Sequence, residues 1–157
     1  TKKGQSWSID LTGRKDTAAI GDGAFIEVVF IEHSTRFSVT YTIKNNDEQS
    51  ILEVLKRWNE EHLTLAKSWH RDDPTLVYFL HSDNLEMNYK ASQRYLTSIG
   101  VKSKLTDPDH SSSNGLAERL IGTLDRTQRV LRLEKSLPDE FWGPAFNHAN
   151  FLELGCQ

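Results

Sequence analysis

The sequence contains a single cysteine, Cys156, no long apolar run and no excess of basic residues. One cysteine cannot form an intrachain disulfide, which favours a reducing compartment. No apolar run approaches the roughly 20 residues that a membrane-spanning helix needs, so no membrane contact is expected. The histidines show no HxxxH spacing, which argues against a structural zinc site.

The charge balance bears on possible partners. The formal net charge is −3 at pH 7, whereas DNA-binding domains usually carry a basic excess. Any DNA contact must therefore come from local Lys and Arg clusters, from metal ions or from additional domains. With 157 residues, of which 37% are hydrophobic and 26% charged, the chain is expected to fold as one globular domain, residues 1–157.

Hydrophobic periodicity predicts an α/β fold. Alternation and buried apolar runs predict five strands, at 4–12, 24–31, 36–43, 76–80 and 101–105. Helical spacing predicts four helices: a long one after residue 47, a short one over 87–99, a long one over 114–135 and a last one from residue 138. This order predicts a five-stranded mixed sheet with helices on both faces.

Three acidic residues occupy positions that suit a metal site. Asp10 lies inside the first predicted strand, Asp83 follows the fourth, and Glu118 lies near the start of a long helix, opposite its apolar stripe. Mg²⁺ takes oxygen ligands, and two such ions ~3.5–4 Å apart stabilise the attacking and leaving oxygens of phosphoryl transfer. Among 22 acids the same placement can also arise by chance. Glu118 can simply favour the helix dipole, and Asp10 can be a polar residue on a half-exposed strand.

Short motifs surround these acids. They are IDLTG at 9–13, IEHSTRF at 31–37, SDN at 82–84, NGLAER at 114–119, and Leu-Pro, Phe-Trp and two alanines within 137–149. Together they resemble the integrase core of copia-type LTR retrotransposons, which is itself similar to retroviral integrases. NGLAER in register with SDN is the specific part, and the resemblance runs from about Asp10 to Leu152.

The resemblance implies a ribonuclease H-like fold and an enzyme, a polynucleotidyl transferase. It implies two Mg²⁺ or Mn²⁺ ions held by Asp10, Asp83 and Glu118, and strand transfer that joins the 3′ ends of element cDNA to target DNA. The implied partner is DNA, and the implied location is the nucleus, with cytoplasmic particles beforehand.

The sequence departs from the family pattern in two places. The family usually has glycine soon after the second Asp-Asn, but here Asn84 is followed by Leu85, and 34 residues lie between Asp83 and Glu118, one fewer than usual. The family often places Asn and Arg one turn after the Glu, where this chain has Ile121 and Gly122. The second departure removes a basic residue from the expected DNA-facing side.

Four arginines share or flank the face of Glu118 and are candidate DNA contacts: Arg119, Arg126, Arg129 and Arg132. Contacts to phosphate supply much of the affinity for DNA. A solvated helix face, with Asp125 and Arg129 paired at i, i+4, explains the same residues equally well.

Two other functions stay open. A different nuclease on the same fold would need a fourth acid near the metal ions, and the sequence offers no clear candidate. A catalytically impaired integrase-like domain, kept for dimerisation or partner binding, is favoured by the altered turn at Leu85 and by the missing basic residues after Glu118.

The apolar residues of two helical regions exceed what one stripe can bury. They are Trp58, Leu63, Leu65 and Trp69 in the first long helix, and Phe141, Trp142, Phe146 and Phe151 at the C-terminal end. Exposed apolar patches usually mark an interface, and a surface that faces its own copy gives two-fold symmetry. The sequence therefore predicts a homodimer or higher assembly that uses these helices.

Overall fold

The computed structural model describes residues 1–83, 89–105 and 114–155. Five strands form one sheet in the order β3-β2-β1-β4-β5. They are β1 (Ser6–Leu11), β2 (Ile26–Glu32), β3 (Ser38–Ile43), β4 (Tyr78–Ser82) and β5 (Val101–Leu105). The first three pair antiparallel, whereas β4 runs parallel to both β1 and β5. The predicted five-stranded mixed sheet is confirmed.

The described helices are α1 (Glu48–Trp58), α2 (Thr64–Ser68), α3 (Lys90–Ser98), α4 (Gly115–Glu134) and α5 (Trp142–Gly155). A π-helical turn, Asn59–Leu63, joins α1 to α2, and a short 3₁₀ turn, Asp139–Phe141, precedes α5. No helix in the described ranges is both long enough and apolar enough to cross a membrane.

Helices cover both faces of the sheet, as expected for a ribonuclease H-like arrangement. On one face the side chains of Trp7 and Ile9 pack with residues of α1 and α3. On the other face Val29 and Ile31 pack with Leu124 of α4 and residues of α5. Because side chains alternate along a strand, Ser8 and Asp10 of β1 face the α4 side. The central strand is thus covered on both sides, and its polar residues lie under α4.

The π-helical turn changes which side of the first helical segment is buried. Continuous α-helical spacing predicts that His62 and Leu65 extend the buried stripe of α1. Instead Leu63 and Ala66 are buried, and Leu65 is 55% exposed. A π turn holds more residues than an α turn, so the residues after it are rotated about the helix axis.

The segment from Thr12 to Phe25 is fastened to the sheet and to α5. The backbone N–H of Lys15 donates to the carbonyl of Phe25 (2.8 Å), and the indole N–H of Trp142 donates to the carbonyl of Thr17 (2.7 Å). Ala19 packs so closely on Gly143 that a Cβ added there would lie 2.8 Å from the Ala19 Cβ. The loop predicted between the first two strands therefore has a fixed path next to α4 and α5.

Candidate active site

Asp10 lies near the C-terminal end of β1, on the face covered by α4. It pairs in register with Val29 of β2, and its residue is 9% exposed. The backbone N–H of Leu11 donates to Asp10 Oδ1 (2.9 Å), which orients the carboxylate along the strand. A rigid central strand therefore positions this acid.

Asp83 follows directly after β4 and is exposed. The parallel register pairs Ser8 of β1 with His81 of β4. Two further residues along each strand bring Asp83 level with Asp10, and neighbouring strands lie about 4.8 Å apart. Asp10 and Asp83 therefore belong to the same end of the sheet.

Glu118 lies in the first turn of α4, which crosses β1 and β2. Its carboxyl group hydrogen-bonds with that of Asp83, and this hydrogen bond raises the pKa of Glu118 above its ordinary value. Slight burial and the negative charge of Asp83 raise the pKa further, while Arg119 opposes the rise. A cation bound between the two carboxyl groups would offset the repulsion between their like charges.

The structure thus brings two of the three predicted ligands into contact. Within residues 1–83, 89–105 and 114–155, no three His, Cys, Asp or Glu side chains converge closely enough to hold a metal ion. Asp10 shares the sheet end of Asp83 without joining such a group. The Asp83–Glu118 pair fits a divalent cation because both donors are carboxylates and each is exposed.

The four predicted DNA-contacting arginines differ in their surroundings. Arg119 and Arg126 are exposed. Arg129 is exposed but its guanidinium donates to Asp125 Oδ2 (2.8 Å). The side chain of Arg132 is only 16% exposed, and it donates to Gln128 (2.8 Å) and to Asp139 (2.7 Å). Arg119 and Arg126 therefore fit the predicted DNA-contacting role, which stays a prediction, better than Arg129 and Arg132, whose guanidinium groups are held by neighbouring side chains.

A lysine that the sequence did not single out lies on the same side of the sheet. Lys15 Nζ lies 2.7 Å from Asp125 Oδ1, and Asp125 also accepts from Gln128. Burial opposes ionisation of Asp125, but the bonds from Lys15 and Gln128, together with the charges of Lys15 and Arg129, outweigh it and lower the Asp125 pKa. Asp125 lies two turns after Glu118, so this network continues the site along α4.

Two histidines form a polar cluster with Ser6 and Ser8 on the side of the sheet that carries the candidate site. Ser6 Oγ lies 3.2 Å from His33 Nδ1 and 3.1 Å from His81 Nε2, and Ser8 Oγ lies 2.7 Å from His33 Nε2. Burial lowers the pKa of His81 to about 4, and the nearby His33 and Lys104 lower it as well. His81 is therefore uncharged at neutral pH, and its bond to Ser6 connects β4 to β1 two residues before Asp83.

The altered turn after Asp83 begins with Asn84 and Leu85, and it lies outside the described residues. Ile121 and Gly122 lie in α4, one turn after Glu118, and both are half-buried. Ile121 packs against the cluster that contains Val29 and Leu124. The position where the family often has a basic residue therefore contributes no cation to this face.

Comparison with known proteins links this segment to retroelements. No family model matches the chain. The chain is 28% identical over 145 residues, 91% of its length, to the retrovirus-related Pol polyprotein from transposon TNT 1-94 of Nicotiana tabacum. It is 28% identical over 126 residues, 80% of its length, to the retrovirus-related Pol polyprotein from transposon RE1 of Arabidopsis thaliana. It spans 10% and 8% of the two polyproteins, and the likeness supports a region derived from a retrotransposon Pol polyprotein.

Proposed function

We propose that this chain is a metal-dependent integrase core that joins the 3′ ends of retroelement cDNA to target DNA by strand transfer. The observation that carries the proposal is the Asp83–Glu118 carboxyl pair at the end of the sheet where Asp10 also lies. The similarity to retrotransposon Pol polyproteins supports it, as does the ribonuclease H-like sheet.

Asp10, Asp83 and Glu118 would hold two Mg²⁺ or Mn²⁺ ions. When bound, such ions stabilise both the attacking and the leaving oxygen of an in-line displacement. The chain's own contribution is placement: a buried strand fixes Asp10, a strand end fixes Asp83, and the first turn of a 20-residue helix fixes Glu118. Side chains on such elements are positioned more accurately than those on loops.

DNA and a second copy of the chain are the partners we propose, with action in the nucleus after assembly in cytoplasmic particles. Joining two DNA ends to one target requires more than one protomer. Arg119 follows Glu118 directly, Arg126 lies about two turns further along α4, and both are exposed and suit phosphate contacts.

The proposed function predicts metal-dependent joining of a labelled duplex end to a second duplex. Asp83→Asn and Glu118→Gln should reduce joining to background, because each removes a ligand charge while keeping the side-chain shape. Glu134→Gln is the matched control, since Glu134 is an exposed acid at the opposite end of α4. Equal joining by Glu118→Gln and Glu134→Gln would exclude this site.

A second candidate is an integrase-like domain that binds DNA or partners without catalysis. The half-buried Ile121 and Gly122 favour it, because they leave α4 without a cation one turn after Glu118. DNA binding without metal-dependent joining, unchanged by Asp83→Asn, would identify this alternative.

A further inference from the structure

The α4-facing surface of the sheet is unevenly covered. α4 packs mainly on β1 and β2, and α5 packs on β3. α3 packs on β5 from the opposite face, where Val101 joins the α1-side core. The described helices therefore leave the α4-facing side of β4 and β5 largely open.

A polar cleft occupies this open area. Its volume is about 490 Å³, and its lining includes Gln5, Ser6, His33, His81, Lys104 and Leu116. The histidines are held in place by Ser6 and Ser8, and their rings lie 5.0 Å apart. The cleft thus has a fixed floor of neutral hydrogen-bonding groups.

The charge of the cleft is positive. Lys104 is exposed, and its Nζ lies 4.2 Å from the centre of the Phe79 ring, which supports the side chain from below. Lys102 is also exposed and lies two residues earlier on β5, so it projects from the same face. No acidic residue lines the cleft within the described part of the chain. This local positive charge contrasts with the net charge of −3.

The cleft lies close to Asp83 of the candidate active site. His81 lines the cleft and lies two residues before Asp83, which follows β4, so the two side chains leave the chain on the same side of the sheet. A long ligand bound in the cleft would therefore pass near Asp83.

We propose that this cleft binds the sugar-phosphate backbone of DNA leading to the candidate active site, with Lys104 as its main phosphate contact and Lys102 as a second. The choice of DNA rests on the proposed function, whereas the position of the contact rests on the cleft and its charge. The two lysines would supply positive charge on this side of the sheet, whereas α4 has no basic residue one turn after Glu118.

The test is the salt dependence of binding to a fluorescein-labelled duplex, measured by anisotropy with the whole chain. Lys104→Gln removes the charge and leaves a polar side chain, one atom shorter, over Phe79. Loss of one phosphate contact should make the plot of log K against log salt concentration shallower by about 0.9. Lys102→Gln should act in the same direction and more weakly. Lys56→Gln is the matched control, because Lys56 is exposed on α1 on the opposite face of the sheet.

The outcomes separate the cleft from the catalytic proposal. A slope that is shallower for Lys104→Gln than for Lys56→Gln supports the cleft even if the wild-type chain joins no DNA. An unchanged slope, equal to that of Lys56→Gln while the wild type binds DNA, overturns it and leaves the catalytic proposal standing. Melting curves of the three variants establish that they are folded, and a reversed charge in Lys104→Glu should weaken binding further.

Discussion

Lys15 and Asp125 join two parts of the chain that lie 110 residues apart, with Lys15 Nζ 2.7 Å from Asp125 Oδ1. Both side chains are largely shielded, at 23% and 21% exposure. The pair fastens the loop after β1 to the middle of α4, on the side of the sheet that carries the candidate active site.

Asp125→Asn should destabilise the fold because it removes the charge partner of Lys15 and weakens the bond to Arg129. A hydrogen bond to a charged group is worth about 1.5–3 kcal/mol, so a loss of about 1–2 kcal/mol is expected in the urea unfolding free energy. Asp73→Asn is the comparison, since Asp73 pairs with Lys2 at the surface. A smaller effect at Asp125 than at Asp73 would contradict the role given to this network.

Gly143→Ala should destabilise the protein even though alanine favours helices. The added Cβ would lie 2.8 Å from Ala19 Cβ, so the loop or α5 must shift. Overpacking of this kind costs about 1–3 kcal/mol. Gly13→Ala is the matched control, because nothing lies within 4 Å of a Cβ there. Thermal melts of both variants measure the difference, and equal melting temperatures would show that Ala19 and Gly143 are not tightly packed.

The buried carboxyl group of Glu27 should make the free energy of unfolding fall as pH rises. The residue is 0% exposed, and neither carboxyl oxygen has a well-formed hydrogen bond within the described part of the chain. Burial raises the pKa of Glu27 well above its ordinary value; Thr40 and Lys15 oppose this rise, and Asp22 adds to it. The folded state therefore holds the proton on Glu27 more tightly than the unfolded state does. The stability that this proton provides is complete below the ordinary pKa of glutamate. It is lost as pH rises towards the raised pKa of Glu27 in the folded state.

Glu27→Gln removes this dependence while keeping the shape of the side chain. Its melting temperature should exceed that of the wild type at neutral pH, and the difference should shrink as pH falls towards 4, near the ordinary pKa of glutamate of about 4.3. Melting temperatures across this pH range measure the effect. A difference that stays constant with pH would mean that Glu27 is ionised in the folded protein.

A bound cation should stabilise the fold by offsetting the repulsion between the carboxylates of Asp83 and Glu118. Millimolar Mg²⁺ or Mn²⁺ should raise the wild-type melting temperature by mass action on the folded state. Asp83→Asn should show a smaller response and a higher metal-free stability, because one of two repelling charges is gone. Glu134→Gln should respond like the wild type, and an equal response of all three proteins would place the metal elsewhere.

Fewer of the residues predicted for a dimer interface are exposed than the sequence suggested. Trp58, Leu63, Trp142 and Phe146 are buried in the monomer, so their inclusion in an interface was wrong. Leu65, Trp69 and Phe151 remain exposed, and Leu65 and Trp69 line an apolar groove of about 490 Å³. A two-fold dimer through these residues should dissociate in Trp69→Glu. Sedimentation over a range of concentrations measures this, and a wild-type mass of one chain throughout would exclude a stable dimer.

The sheet could be predicted because its strands follow local patterns. The strand at 101–105 matches β5 at both ends, and β2 and β3 differ from their predicted ranges by a few residues. The placement of Asp83 beyond its strand also followed from local sequence, although β4 extends to Ser82 rather than ending at residue 80.

The remaining features depend on contacts between distant residues. Nothing near Lys15 in the sequence indicates a partner at Asp125, and nothing near Arg132 indicates that Gln128 and Asp139 hold its guanidinium. The two lysines of β5 alternate with Val101 and Ser103, which was a usable sign of one basic strand face. The alternation pointed to a basic surface near Asp83 only once the sheet order had placed β5 next to β4.

The π-helical turn at Asn59–Leu63 has a consequence for how this segment can change length. Deleting one residue between Trp58 and Leu63 would return the helix to a regular 3.6-residue repeat and keep Leu63 and Ala66 on the core side, because the π turn holds one residue more than an α turn. The exposed apolar groove owes the positions of Leu65 and Trp69 to this turn. The loss of a single codon there would therefore leave the core contacts and the outer groove in place, so this turn is a point where the helix can shorten by one residue.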